Sequence, residues 1–112
     1  MTLENIYSIL NRVLENKVFY AVNVYDNEEN APMPYIVYQE IGRRPKGYHD
    51  DAPIFYSSSI QITLVTKHKD MNLEKKLENE LLKNGLSYSV LGETHNSDKS
   101  INRVYEIKME DI

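Results

Sequence analysis

Hydrophobic and polar side chains repeat with two different periods along the chain, and each period predicts a different kind of element. Apolar residues recur every three or four positions over residues 2–16, which predicts an amphipathic helix with Thr2 as its N-cap. The same spacing over residues 71–83, between an N-cap at Asp70 and a terminating Gly85, predicts a second helix. The predicted buried stripes are Leu3, Ile6, Tyr7, Leu10, Val13 and Leu14 in the first helix and Leu73, Leu77 and Leu81 in the second; the solvated face of the second helix holds Lys75, Glu78, Asn79 and Asn84.

Five segments are rich in β-branched and aromatic residues and are therefore predicted to be strands. They are residues 18–25, 35–41, 54–66, 86–94 and 102–110. In the third segment, Ile60, Ile62 and Leu64 alternate with hydroxyl and amide side chains, which predicts one buried and one wet sheet face. The order α-β-β-β-α-β-β predicts a single α+β domain over residues 1–112, with both helices on one face of a mostly antiparallel sheet of about five strands.

Two segments interrupt these patterns and are predicted to be loops. Residues 42–53 show no alternation and contain two prolines and two glycines, so we expect a long connection with a functional or mobile role. Its candidate interaction residues are Arg43, Arg44, Lys46, Tyr48, His49, Asp50 and Asp51. The other loop, residues 26–34, is acidic through Asp26, Glu28 and Glu29. If the acidic loop of one copy faced the basic loop of the next, such head-to-tail contacts could close into a ring.

Composition narrows the class of protein. The chain has 112 residues, 41% hydrophobic and 27% charged, which is typical of one globular domain. It has no cysteine, so disulfides, thiolate nucleophiles and cysteine-ligated metals are excluded. No apolar run is long enough to span a bilayer, and the first residues lack the features of a signal peptide. A net charge of −4 argues against a general nucleic-acid binder.

Candidate catalytic chemistry is sparse. The three histidines, His49, His68 and His95, all fall in predicted loops, and only His49 has neighbouring carboxylates that could join it as metal ligands. The serine run at 57–59 has no nucleophile-elbow motif around it, and the glycines form no phosphate-binding motif. Glu40 is the one acid in an apolar strand context, and we expect it at a sheet edge or an interface. We therefore predict that the protein is not an enzyme and holds no metal or cofactor.

The order of several sequence stretches resembles a known family. An N-terminal helix of the type "IYSIL" is followed, after a proline-bearing loop, by "PYIVYQ", and a strand ending in "LVTKHKD" leads into the helix "LEKKLENELLKNG". Over residues 3–90 the chain thus resembles the small tail-completion proteins of long-tailed phages. These are the tail terminator and tail-to-head joining proteins encoded by phages and prophages of low-GC Gram-positive bacteria. The most motif-like parts are "PYIVYQ" and the T-K-x-K-D junction at residues 66–70; residues 91–112 lie outside the resemblance.

The resemblance implies a non-enzymatic virion protein with an α+β fold. It implies a ring, often of six subunits, that caps the tail tube and joins it to the head connector. The expected partners are other copies of the chain, the tail-tube protein and the connector proteins, with DNA only passing through the lumen. The expected location is the virion neck, and the host cytoplasm before assembly. On this interpretation residues 42–53 are an assembly loop, and Tyr38, Tyr48 and Tyr56 are candidates for burial against neighbouring subunits.

Three other hypotheses remain open on the residues alone. The chain could be a cytoplasmic protein-interaction adaptor or regulator that binds a host protein. It could be a metal-dependent hydrolase that uses His49, Asp50 and Asp51. It could also bind nucleic acid through Arg43, Arg44 and Lys46, in which case binding would weaken steeply with salt.

Overall fold

A computed structural model describes residues 2–21, 33–49 and 52–111. The elements are α1 Leu3–Asn11, β1 Val18–Tyr20, β2 Tyr35–His49, β3 Ala52–Thr66, α2 Met71–Lys83, β4 Tyr88–His95 and β5 Ile101–Asp111. Two helices and a mostly antiparallel sheet of five strands confirm the predicted α+β class, and the predicted element order is also confirmed.

The five strands form one sheet in the order β1-β2-β3-β5-β4. β1 is parallel to β2, whereas the pairs β2–β3, β3–β5 and β4–β5 are antiparallel. β3 is therefore the central strand, and it pairs with β2 and with β5 along most of its length. The short β1 pairs with β2 only as far as Tyr20↔Tyr38. Among the described residues, β2 beyond this point is thus an edge of the sheet.

One face of the sheet and the two helices enclose the core. Ile60, Ile62 and Leu64 of β3 are fully buried, while the residues between them are only partly buried, as the alternation predicts. The remaining sheet residues of the core are Val18, Ile36, Tyr38, Tyr105, Ile107 and Met109, and the helices contribute mainly Ile6, Ile9, Leu10, Leu77 and Leu81. Both helices therefore pack on the same sheet face. The Arg12 guanidinium and the Glu80 carboxylate, 3.1 Å apart, link the two helices at the surface.

Helix α1 is shorter than predicted. The side chain of the N-cap Thr2 accepts a hydrogen bond from the backbone amide of Asn5, as expected of a capping residue. The helix ends at Asn11, and the side chain of Asn11 accepts a hydrogen bond from the backbone amide of Asn16. Asn16 has a φ of 63°, in the left-handed region, so the helix cannot continue to residue 16 as predicted. Tyr7, assigned to the buried stripe, is instead 39% exposed.

The prediction of a loop is wrong for residues 42–49 and 52–53, while residues 50 and 51 lie outside the described residues. Residues 42–49 continue β2 and residues 52–59 belong to β3, and the two segments are paired from Gly42↔Ser59 to His49↔Ala52. Pro45 is tolerated because this part of β2 has no second strand among the described residues, so no ladder requires its missing N–H. Gly47 has a φ of 65°, which glycine adopts without steric cost. Proline and glycine thus mark an irregular edge strand here, not a loop.

Each edge of the sheet carries a β-bulge. In β2, Ile41 is the extra residue between the pairs Glu40↔Ile60 and Gly42↔Ser59. In β4, Leu91 is the extra residue before Gly92↔Val104. Both bulged residues are exposed aliphatic side chains. Bulges interrupt the regular row of main-chain donors and acceptors on an edge and so limit unspecific edge-to-edge pairing.

The core and the surface of α2 give the first testable prediction. Leu77→Ala removes a fully buried side chain and should lower the free energy of unfolding by about 2–5 kcal/mol. Leu82→Ala on the same helix is the matched control, because Leu82 is 55% exposed and its truncation should change stability by less than about 0.5 kcal/mol. Urea unfolding of both variants measures the two values. Equal losses would contradict the packing of α2 described above.

Candidate functional site

The distal part of the β2–β3 hairpin extends beyond the layer that the helices cover. We call residues 42–49 and 52–59 the arm. At ~3.3 Å per residue its strands are roughly 26 Å long. β5 flanks the arm only at its base, since the pairing of β3 with β5 ends at Tyr56↔Asp111. From Lys46↔Phe55 outwards, each arm strand has only the other as a partner among the described residues.

The three cations predicted as one cluster are divided between the two faces of the arm. Successive residues of a strand point to opposite faces, so Arg43 lies on one face and Arg44 and Lys46 lie on the other. Arg43 pairs with Ser58, which is buried on the core side of β3. Arg44 pairs with Ser57 on the open face. The structure therefore brings together Arg44 and Lys46 but separates both from Arg43.

Arg43 is held at the base of the arm. Its Nη1 donates a hydrogen bond to the Ser58 hydroxyl at 3.3 Å, and its guanidinium lies 4.5 Å from the centroid of the Tyr56 ring. Such stacking of a cation on an aromatic face is attractive. Arg43 and Glu40 also line a cavity of about 390 Å³ next to the N-terminus of α1. Arg43 thus has partners within the chain and is oriented by them.

Arg44 and Lys46 are exposed and make no hydrogen bond or ion pair with a described residue. Lys46 lies at the rim of a cavity of about 670 Å³ on the other side of the arm. Lys108 and Glu110 of β5 and Leu91 of β4 also line this cavity. Lys46 thus borders a cavity, and both cations, having no partner among the described residues, are available to a second molecule.

The other predicted interaction residues are only partly described. Tyr48 and His49 belong to β2 by their backbone, so His49 is not in a loop as predicted. Asp50 and Asp51, and the acidic residues Asp26, Glu28 and Glu29, lie outside the described residues. The proposed pairing of an acidic with a basic loop, and the metal site at residues 49–51, therefore stay predictions. His95 is the last residue of β4, where its Nε2 lies 3.0 Å from a Glu93 carboxylate oxygen.

Sequence analysis missed an ionic network between α2 and the sheet. Arg103 of β5 lies at its centre, with Nη1 3.3 Å from Glu93 and Nη2 3.5 Å from Glu78. Lys69 bridges Glu93 at 2.7 Å and Glu74 at 2.9 Å. Since three carboxylates face two cations, the network is nearly balanced in charge.

Two tyrosines complete the network. The Tyr105 hydroxyl donates to Glu78 at 2.7 Å and accepts from Arg103 Nε at 2.8 Å. The Tyr88 hydroxyl donates to the other oxygen of Glu78 at 3.1 Å. Glu78 is therefore not on the solvated face of α2, which corrects the prediction. Among the described residues, no buried side-chain polar atom lacks a hydrogen-bond partner.

Ionic and hydrogen-bonding partners shift the pKa values of this network. The ammonium of Lys69, with further contributions from His95 and Arg103, lowers the pKa of Glu93 from 4.5 to about 2. Burial, reinforced by the adjacent Glu78 carboxylate, raises the pKa of Tyr105. Both shifts move the pKa further from neutral pH, where Glu93 is ionised and Tyr105 is protonated. A permanently ionised acid and a permanently protonated phenol suit a structural role that fixes α2 on the sheet, because neither exchanges a proton near neutral pH.

No further feature of the described residues indicates a reaction centre. No group of three or more histidines, aspartates or glutamates among them is placed to hold a metal ion. No helix in the described part of the chain is long and apolar enough to cross a membrane. Comparison of the sequence with protein-family models and with curated proteins finds no match. The arm is therefore the strongest candidate for a functional site.

The Glu93 carboxylate makes stability depend on pH. Because its folded-state pKa is lowered, its stabilising contribution is fully present above the unfolded value of 4.5 and is lost as the pH falls toward about 2. Glu93→Gln should therefore be less stable than wild type at pH 6, and the difference should shrink between pH 4.5 and 2. Urea unfolding at several pH values measures it. The control is Glu106→Gln, because Glu106 lies on the open face of β5 and makes no ion pair with a described residue. Equal dependence of stability on pH in Glu93→Gln and Glu106→Gln would contradict this role of Glu93.

Proposed function

We propose that the chain is a structural subunit of a phage tail-completion complex. Copies of it form a ring that caps the tail tube and joins the tail to the head connector, and it acts without catalysis or a cofactor. The resemblance of residues 3–90 to tail terminator and tail-to-head joining proteins motivates this assignment. The α+β fold of the chain, with the element order α-β-β-β-α-β-β, is compatible with this assignment. Fold alone does not define function, so the proposal depends on the arm.

The observation that carries the proposal is the arm, whose cations Arg44 and Lys46 and whose outer strand edge have no partner among the described residues. Beyond Tyr38, the main-chain groups on the outer side of β2 have no partner strand among the described residues. Pro45 and the bulge at Ile41 interrupt regular strand pairing along this edge, so its exposed side chains are the groups suited to contact another protein chain. Arg44 and Lys46 add positive charge to this edge. A projecting, ordered element of this kind reaches a neighbouring subunit at a smaller cost in conformational entropy than a flexible loop would.

The distribution of charge favours a protein partner over nucleic acid. Only Arg44 and Lys46 of the predicted basic cluster lack internal partners among the described residues, and the whole chain has a net charge of −4. Nucleic-acid binders generally gain affinity from many phosphate contacts. Two exposed cations match an acidic patch on a neighbouring subunit, on the tail tube or on the connector.

The direct test is electron microscopy of lysates from the parent phage or induced prophage with this gene disrupted. We expect either full heads separate from free tails, which would assign the joining role, or tails of uncontrolled length, which would assign the terminating role. Normal, infectious particles would contradict the proposal. They would favour the cytoplasmic adaptor instead.

Complementation of the disrupted gene tests the arm itself. The double variant Arg44→Glu/Lys46→Glu should fold normally, because both side chains are exposed, but should fail to restore infectious particles. Lys75→Glu/Lys76→Glu makes the same change in charge on the exposed face of α2 and is the matched control, which should restore them. Full rescue by the arm variant would rule out the arm as the assembly element.

A further inference from the structure

Three tyrosine rings meet where α1 crosses the end of β1. Tyr7 comes from α1, and Tyr20 and Tyr38 are direct partners across the parallel pair β1–β2. Together with Leu3, Glu4 and Ser8 they line a concave site of about 370 Å³, which we call the tyrosine cage. The ring centroids of Tyr20 and Tyr38 are 5.1 Å apart and the ring planes are inclined at 76°, so the two rings form an edge-to-face pair.

Burial in the core does not account for this arrangement. Tyr38 is 7% exposed and serves as the floor of the cage, but Tyr7 and Tyr20 are 39% and 47% exposed. Burial, followed by the nearby phenols of Tyr20 and then Tyr7, raises the pKa of Tyr38, which agrees with the three side chains lying close together. The two outer tyrosines therefore present aromatic surface to solvent around a common concavity.

The chemistry of the cage selects for positive charge. The face of an aromatic ring is electronegative and attracts a cation placed within about 6 Å of its centre. The described lining residues include three aromatic rings, the Glu4 carboxylate and no cation. A neutral apolar ligand would gain only from burial of area, whereas a cation would also gain from the rings and the carboxylate.

Elsewhere in the chain, two arginine guanidiniums lie over tyrosine rings. Arg43 lies 4.5 Å from the centroid of Tyr56, and Arg103 lies 5.4 Å from that of Tyr105. We propose that the tyrosine cage binds an arginine side chain of a partner protein. Arginine fits better than lysine because its planar guanidinium can stack on one ring while it donates hydrogen bonds to a carboxylate. This inference does not depend on the function proposed above, because it concerns a different surface.

Titration with a minimal probe tests the ligand class without any variant. N-acetyl-arginine methylamide should shift the NMR resonances of the Tyr7 and Tyr20 rings in a saturable manner. The citrulline analogue has nearly the same shape but no charge and should produce much smaller shifts. Equal shifts with both probes, or no shift with either at millimolar concentrations, would overturn the proposal.

Variants then identify the groups that bind. Tyr7→Phe retains the ring and should bind the arginine probe as wild type does. Tyr7→Leu should weaken binding by roughly two- to five-fold, the contribution of one exposed ring. Glu4→Gln should reduce the preference for arginine over citrulline. Far-UV circular dichroism verifies that each variant is folded. Wild-type binding by folded Tyr7→Leu would overturn the assignment of the cage.

Discussion

The rest of the structure depends on the hydrogen bonding of β3 on both of its sides. β3 pairs with β2 from Tyr35↔Val65 to His49↔Ala52 and with β5 from Thr66↔Ile101 to Tyr56↔Asp111. Its register fixes which residues face the helices, because a shift by one position would move Ile60, Ile62 and Leu64 to the open face. The same strand that anchors the core also supplies one side of the arm. The position of the arm is thus determined by the packing of the domain.

The ionic network around Arg103 fixes the second layer of the fold. Leu77 and Leu81 bury α2 against the sheet, but burial of apolar area is not directional. Arg103 and Lys69 add contacts of defined geometry to Glu74 and Glu78 on α2 and to Glu93 on β4. These contacts connect α2 with the two strands that lie beneath it. Their removal would leave the buried Glu74 carboxylate without its cationic partners, which is costly.

Local patterns predicted the regular parts of the fold. The alternation around Ile62 and the spacing of Leu77 and Leu81 were sufficient to assign β3, α2 and the buried face. The arm was missed because Pro45 and Gly47 are breakers in a paired strand, and sequence does not reveal that this strand lies at an edge.

The candidate site was predicted only in part, for two physical reasons. Arg43, Arg44 and Lys46 were predicted as one group of cations, but their division between two faces follows from strand geometry that a predicted loop does not have. The ionic network was missed because Glu74, Glu93 and Arg103 are distant in sequence and meet only through the pairing of β4 with β5 beneath α2. The tyrosine cage likewise requires the register of β1 on β2.

The role proposed for the arm requires that residues 42–49 and 52–59 form an ordered pair of strands that projects from the core. Hydrogen exchange of the isolated protein, resolved by residue, tests this most directly. Slow exchange is expected at Arg44 and Lys46, whose amides point toward β3, and fast exchange at Arg43, whose amide points away from it; Pro45 has no amide. Uniformly fast exchange from Gly42 to Phe55, with protection retained at Ile60 and Ile62, would mean that the arm is a loop and would contradict the account.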